Sequence, residues 1–235
     1  YTGTHCDEPW PCPFYKTCHP PRESTHPGFL PRSRQLVRKL ARHDIHDLRD
    51  IPRDFRLGRL QKRAKDCILK GRDFVSPDLQ EVLESVDRPL YFMDFEAFSP
   101  AVPRYFNTHC YQPIPTQWSL HLLKDGVLEH QEFLYEGEGD PRREFATTLL
   151  AALGDQGSIL VYSSYEKTQL LKLVEAWPDL YDGIHAVIER LQDLYVVIKD
   201  HYYHPDFLGS YSIKKVLPAL VPELTYEDLE IRDGG

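Results

Sequence analysis

Two carboxylates separated by one residue close an apolar run in Tyr91-Phe92-Met93-Asp94-Phe95-Glu96. On an extended strand, residues i and i+2 project from the same face, so Asp94 and Glu96 stand side by side. Such a pair repels itself at neutral pH unless a cation lies between the two groups. Oxygen-only donors suit Mg2+ or Mn2+. A second candidate lies in Val161-Tyr162-Ser163-Ser164-Tyr165-Glu166: a strand end, a two-serine turn, and Glu166 at a helix start, where the helix dipole favours an acid. Each pattern has a bland counterpart. Asp94 and Glu96 could mark a solvated strand edge, and Glu166 a helix-start acid without a metal. Asp193 has no acid within two residues in Leu191-Gln192-Asp193-Leu194-Tyr195 and reads as a supporting or structural group.

A third cluster has softer donors. His5-Cys6, Cys12 and Cys18-His19 place three thiols within thirteen residues of a proline-rich stretch. Thiolates at that density suit a bound metal or cluster, with Zn2+ on Cys6, Cys12, Cys18 and either His5 or His19 as one form. Three reduced, buried thiols are the plain alternative. Cys67 and Cys110 are isolated and read as structural. Five cysteines in all do not make a secreted disulfide framework and fit a reducing, cytoplasmic setting. His109 and His121 lack metal-ligand spacing and read as polar surface or satisfied core groups.

The elements that must position these residues follow from periodicity. Residues 1–31 are rich in Cys, His and Pro and read as a loop held by something else. Residues 33–41, 55–69 and 77–86 carry helical spacing, with a short turn at 44–51. From Pro89 the pattern changes: strands over 90–95, 117–123 and 129–135 form an antiparallel meander around Gly126. Helices over 141–153, 165–175 and 183–190 follow, interleaved with short strands at 158–162 and 191–194. A last helix over 212–217 is expected to stop at Pro218. The order is α/β, with three antiparallel strands and then parallel ones flanked by helices. The segments divide as a Cys-rich loop (1–31), a basic helical region (32–88) and a mixed-sheet domain (89–235).

Charge separates along the chain. The net charge is −8, yet residues 1–90 hold 17 Lys and Arg against 13 Asp and Glu, and the remainder holds 11 against 23. Residues 32–72 alone carry 14 basic and 5 acidic residues. A basic segment beside an acidic domain suits an enzyme that guides a polyanion toward a metal site, although any one charge run is also what a solvated helix face looks like. No apolar run reaches the roughly 18 residues of a membrane span. The absence of an initiator Met and the stop at Asp233-Gly234-Gly235 suggest a piece of a longer protein.

The order of motifs resembles the DEDD-type 3′–5′ exonucleases of the ribonuclease-H-like superfamily. Asp94-Phe95-Glu96 looks like their first motif, and Tyr162-Ser163-Ser164-Tyr165-Glu166 like their second, with Glu in place of the usual Asp. More narrowly, the chain is similar to an uncharacterised bacterial domain family of that superfamily. The resemblance rests on Asp94-Phe95-Glu96-Ala97-Phe98, Tyr111-Gln112-Pro113-Ile114-Pro115, Gly139-Asp140-Pro141-Arg142 and Gly209-Ser210-Tyr211-Ser212-Ile213-Lys214. It implies a ribonuclease-H-like sheet and hydrolysis of DNA or RNA by two cations, with Asp94, Glu96 and Glu166 as ligands. The family is often fused behind a RecB-like nuclease domain, and the Cys6, Cys12, Cys18 spacing resembles the cysteine group of iron–sulfur RecB-like nucleases. A 4Fe–4S cluster is what that resemblance implies, with zinc as the alternative. The superfamily's last Asp comes from a C-terminal helix, and nothing after Ile231 supplies it. A module that kept the fold and lost catalysis, binding nucleic acid or acting as a scaffold, is the competing expectation.

Overall fold

The computed structural model describes Cys6, residues 12–19 and residues 21–224. Along the chain the helices are α1 (Tyr15–Cys18), α2 (Arg34–Ala41), α3 (Arg59–Lys70), α4 (Leu79–Glu84), α5 (Arg142–Ala152), α6 (Tyr165–Ala176), α7 (Tyr181–Glu189), α8 (Leu194–His201) and α9 (Ile213–Leu220). The strands are β1 (Phe74–Val75), β2 (Leu90–Phe98), β3 (Ile114–Lys124), β4 (Val127–Leu134), β5 (Ser158–Val161), β6 (Leu191–Asp193) and β7 (Tyr202–Tyr203). Two compact units result, one of residues up to Phe74 together with Tyr203–Glu223, the other spanning Val75–Tyr202. The sequence segments 32–88 and 89–235 are thus each shared between both units.

The first unit is helical. Leu36 and Leu40 turn inward from α2, and Ala64 and Cys67 from α3, leaving the cationic positions between them outside. The expected helix over 55–69 starts only at Arg59. Gly58 is extended and serves as the cap, its N–H donating to Gln61 Oε1 at 3.1 Å. Tyr203, Phe207 and Tyr211 stack edge-on around the centre, with ring centroids 5.5–6.1 Å apart. Gly209, at φ 80°, passes so close to the Phe29–Leu30 backbone that a Cβ would come within 2.7 Å of it. That close approach ties the late segment to the early one. The final helix does not end at Pro218. It runs to Leu220, because a proline six positions in removes a single intrahelical hydrogen bond and Val221 N still closes the last turn on Leu217 O at 2.8 Å.

The second unit is α/β around a mixed five-stranded sheet of order β4-β3-β2-β5-β6. β2 pairs antiparallel with β3, and β3 with β4; β2 with β5 and β5 with β6 run parallel. Alternation on β2 buries Tyr91, Met93 and Phe95 against Trp118 and Leu120 of β3, and against Phe145, Leu149, Leu170 and Leu173 from α5 and α6. Phe95 meets the Phe145 ring edge-on at 4.9 Å. Gly157, at φ 87°, admits no side chain, since a Cβ would lie 2.0 Å from Pro89 O. This close turn delivers β5 alongside β2. Helix α8 has no counterpart in the sequence reading. Its Val196, Val197 and Ile198 favour strands, and the fold overrides that preference. Among the described residues no helix is long and apolar enough to cross a membrane.

Candidate functional site

The alternation that buries Tyr91, Met93 and Phe95 turns Phe92, Asp94 and Glu96 to the opposite face of β2, and all three are exposed. Pairing of β2 with β5 ends at Phe92–Leu160, so Asp94 and Glu96 stand past it, toward the carboxyl end of the parallel strands. That end is where α/β sheets collect ligands. β5 leaves the sheet at the same end and turns through Ser163 and Ser164 into α6, whose first turn holds Glu166.

The turn is strained and braced. Ser163 takes φ 114°, a region that costs a non-glycine residue energy. Asp193, at the end of β6, accepts from Ser163 N at 3.0 Å and from Tyr195 N at 2.9 Å through the same oxygen, Oδ1. Ser163 Oγ in turn accepts from Tyr165 N at 3.2 Å. Asp193 therefore holds the turn and caps α8, the supporting place that its isolation in the sequence suggested.

Glu166 is 4% exposed, and its Oε2 has no hydrogen-bond partner. Burial, then the Asp94 and Asp193 carboxylates, push its carboxyl up to about 7, against the pull of its own backbone N–H. The neighbouring Tyr165 phenol is raised by burial and by Glu166, Glu96 and Asp94. Asp94, Glu96, Glu166 and Asp193 thus act on one another or on Tyr165 electrostatically. One turn along α6, Gln169 is 2% exposed and its Oε1 accepts nothing. Sequence reasoning missed Gln169. Its place three residues after Glu166 on the same helix face was the available signal.

Fit to a divalent cation has two sides. The donors are hard oxygens, and one of them is buried and orphaned, as a cation ligand would be in the absence of its ion. As the side chains stand, however, no three His, Cys, Asp or Glu among the described residues are grouped so as to hold a metal ion. The donor chemistry fits; a ready-made shell is not formed.

Among the described residues the cysteines are not grouped as ligands either. Cys6 is buried, Cys12 intermediate and Cys18 exposed, and none of the three is disulfide-bonded. Cys12 N donates to Cys6 O, a backbone tie. His19 stacks on Tyr15 at 3.9 Å, and His5 lies outside the described residues. Residues after Ile231, where the last acid was expected, also lie outside them.

Two further groupings were not legible beforehand. On the exposed face near Asp94, His121 and His130 stack at 4.4 Å, and Ser119 Oγ lies 3.2 Å from His130 Nε2. A crevice of about 470 Å³ brings Gln112 together with Asp140 and Arg142, residues from two separated segments of the chain. Arg142 is buried there beneath Trp177, its guanidinium 4.9 Å from the ring centroid, and Asp140 accepts from both Nε and Nη2.

No curated protein matches the chain. A family model does, over residues 91–212, which run from β2 through Asp94, Glu96, Glu166 and Asp193 to the start of α9 and leave Cys6, Cys12 and Cys18 outside. With slightly more than half of its length matched, the chain belongs to the family described as Domain of unknown function (DUF2779).

Proposed function

We propose that the Val75–Tyr202 unit is a ribonuclease-H-like, divalent-metal-dependent nuclease that hydrolyses phosphodiester bonds of DNA or RNA from a 3′ end. The reading is carried by Glu166: a buried carboxyl with an unpartnered oxygen, pushed up to about 7, on the helix that follows the strand beside Asp94 and Glu96. Strongly perturbed acids of this kind are concentrated at functional sites. The sheet order, three antiparallel strands followed by two parallel ones, is the arrangement that the resemblance implies.

Asp94, Glu96 and Glu166 would hold Mg2+ or Mn2+, which when bound supplies an acidified water and neutralises charge on the scissile phosphate. The chain's own residues prepare that site. Asp193 locks the Ser163 turn and so sets the start of α6 and the position of Glu166. Burial raises the Glu166 carboxyl to about 7, so near neutral pH it is divided between protonated and ionised forms, and a bound cation would favour the ionised one. Asp94 and Glu96 stay solvated on the sheet face, open to an incoming strand.

The test is degradation of an end-labelled single strand with Mn2+, comparing the protein with Asp94→Asn. Stepwise shortening that Asp94→Asn abolishes is the expected result. If no shortening occurs, or if Asp94→Asn shortens the strand equally well, the unit is a binding module on the same fold. Glu166 in place of the usual Asp of the second motif is what favours that competitor.

A further inference from the structure

We propose that the basic surface of residues 32–72, in the helical first unit, binds the phosphate backbone of nucleic acid without reading its sequence. As the place where a substrate strand is held, it rests on the nuclease reading; as a binding surface, it is tested without any cleavage.

Residues 32–72 carry 14 Lys and Arg against 5 Asp and Glu, an excess of nine positive charges in 41 residues. The fold puts much of this charge outside, with Arg38, Arg63 and Lys65 half-buried. Arg32, Lys39, Arg42, Arg53, Arg56 and Lys62 are all exposed, while Leu36, Leu40, Leu48 and Ala64 take the interior. Arg34, Arg38 and Arg42 recur every fourth residue and form one stripe along α2 and its C-cap. The acids do not cancel the excess. Asp47 pairs with Arg49 at 2.6 Å and Asp66 lies 4.0 Å from Lys70, and the net charge counts every acid already.

The chemistry favours a phosphate chain over other anions. Ten of the 14 cations are Arg, whose planar fork matches phosphate as well as carboxylate oxygens, so the choice rests on what else the surface exposes. An anionic membrane would call for apolar side chains to insert, yet between residues 32 and 72 the exposed large apolar group is Leu69, at 37%. The same lack of exposed aromatic rings gives bases nothing to stack on. What remains is charge attraction to the backbone, which carries affinity and no sequence information.

The experiment measures anisotropy of a labelled single strand in EDTA, with Asp94→Asn as the parent chain. Affinity should fall with salt, log K declining by about 0.7 per log unit of salt for each phosphate neutralised. Combining Lys39→Gln, Arg42→Gln, Arg53→Gln and Arg56→Gln should weaken binding at least tenfold at low salt and flatten that slope, with the melting temperature unchanged. Arg42→Lys, Arg53→Lys and Arg56→Lys together should retain binding, separating charge from packing. A strand lacking bases should bind as tightly as an intact one. The proposal is overturned if the neutralised chain binds like its parent, if the base-free strand binds more weakly, or if polyglutamate or anionic vesicles displace the strand at equal charge. Cleavage failing while binding persists would count against the nuclease reading alone. Cleavage persisting while the neutralised chain keeps its parent's salt response would count against this surface alone.

Discussion

The two units of this chain are opposites in charge and construction. The first holds 18 Lys and Arg against 11 Asp and Glu and is built of helices; the second holds 9 against 21 and is built on a mixed sheet. In the first, much of the charge is spread over exposed helix surface, at Arg32, Lys39, Arg42, Arg53, Arg56 and Lys62. In the second, part of the charge is drawn inward: Glu166 is buried, and Asp94 and Asp193 act on it electrostatically. Spread charge binds through number, and concentrated charge binds through the cost of leaving it uncompensated. The difference teaches that an excess of charge can be spread or concentrated, and that burial tells the two apart.

The largest expected effect compares how firmly the two units are packed. Phe145→Ala, at the centre of the sheet unit, and Phe207→Ala, at the centre of the helical one, each remove a fully buried ring and should cost about 3–5 kcal/mol. Urea unfolding followed by circular dichroism reads both. A cost for Phe207→Ala near that for Phe145→Ala would show the small helical core to be as tightly closed as the sheet core.

The next effect concerns the buried acid. The carboxyl of Glu166 titrates higher in the folded chain than in the unfolded one, so the folded state takes up the proton more readily. Its stabilising contribution is complete below about pH 4.5 and is lost as pH rises toward about 7. The shift amounts to about 3 kcal/mol at most. Glu166→Gln should remove this pH dependence, and Mn2+ should restore stability to the unmodified chain above pH 7 but not to Glu166→Gln. Thermal melts across pH 5–8 check both, and a Glu166→Gln profile identical to that of the unmodified chain would refute the assignment.

Asp94→Asn should lower Mn2+-dependent cleavage by about 100-fold or more while leaving stability almost unchanged, because the side chain is exposed. A stability loss instead would make Asp94 a structural residue of the sheet. The smallest effect belongs to Asp193→Ala. It frees the Ser163 and Tyr195 amides and should cost about 1–2 kcal/mol, read by urea unfolding.

Several of these features were legible along the chain. The apolar alternation before Asp94, the Gly126 turn and the helix start at Tyr165 are local signals, and the structure has β2, β3, β4, β5 and α6 where they indicated. Other features were not. Helix α8 contradicts its own β-branched residues, because tertiary packing outweighs propensities of a few tenths of a kcal/mol per residue, and α9 runs past a proline that usually costs a helix interior about 3 kcal/mol. Gln169 carried no motif, and the meeting of Gln112 with Asp140 and Arg142 joins positions with no local relation.

By itself, then, the sequence determined the α/β character of the sheet unit, the side-by-side projection of Asp94 and Glu96, and the opposed charges of its two halves. These follow from period, pleat and counting. The tertiary structure alone decided that residues 203–223 join the early helices, that Asp193 is spent on the Ser163 turn, and that Glu166 is buried with an unpartnered oxygen. Such outcomes depend on which distant segments exclude water from a given atom. That is a property of the packed whole, on which no window of neighbouring residues carries information.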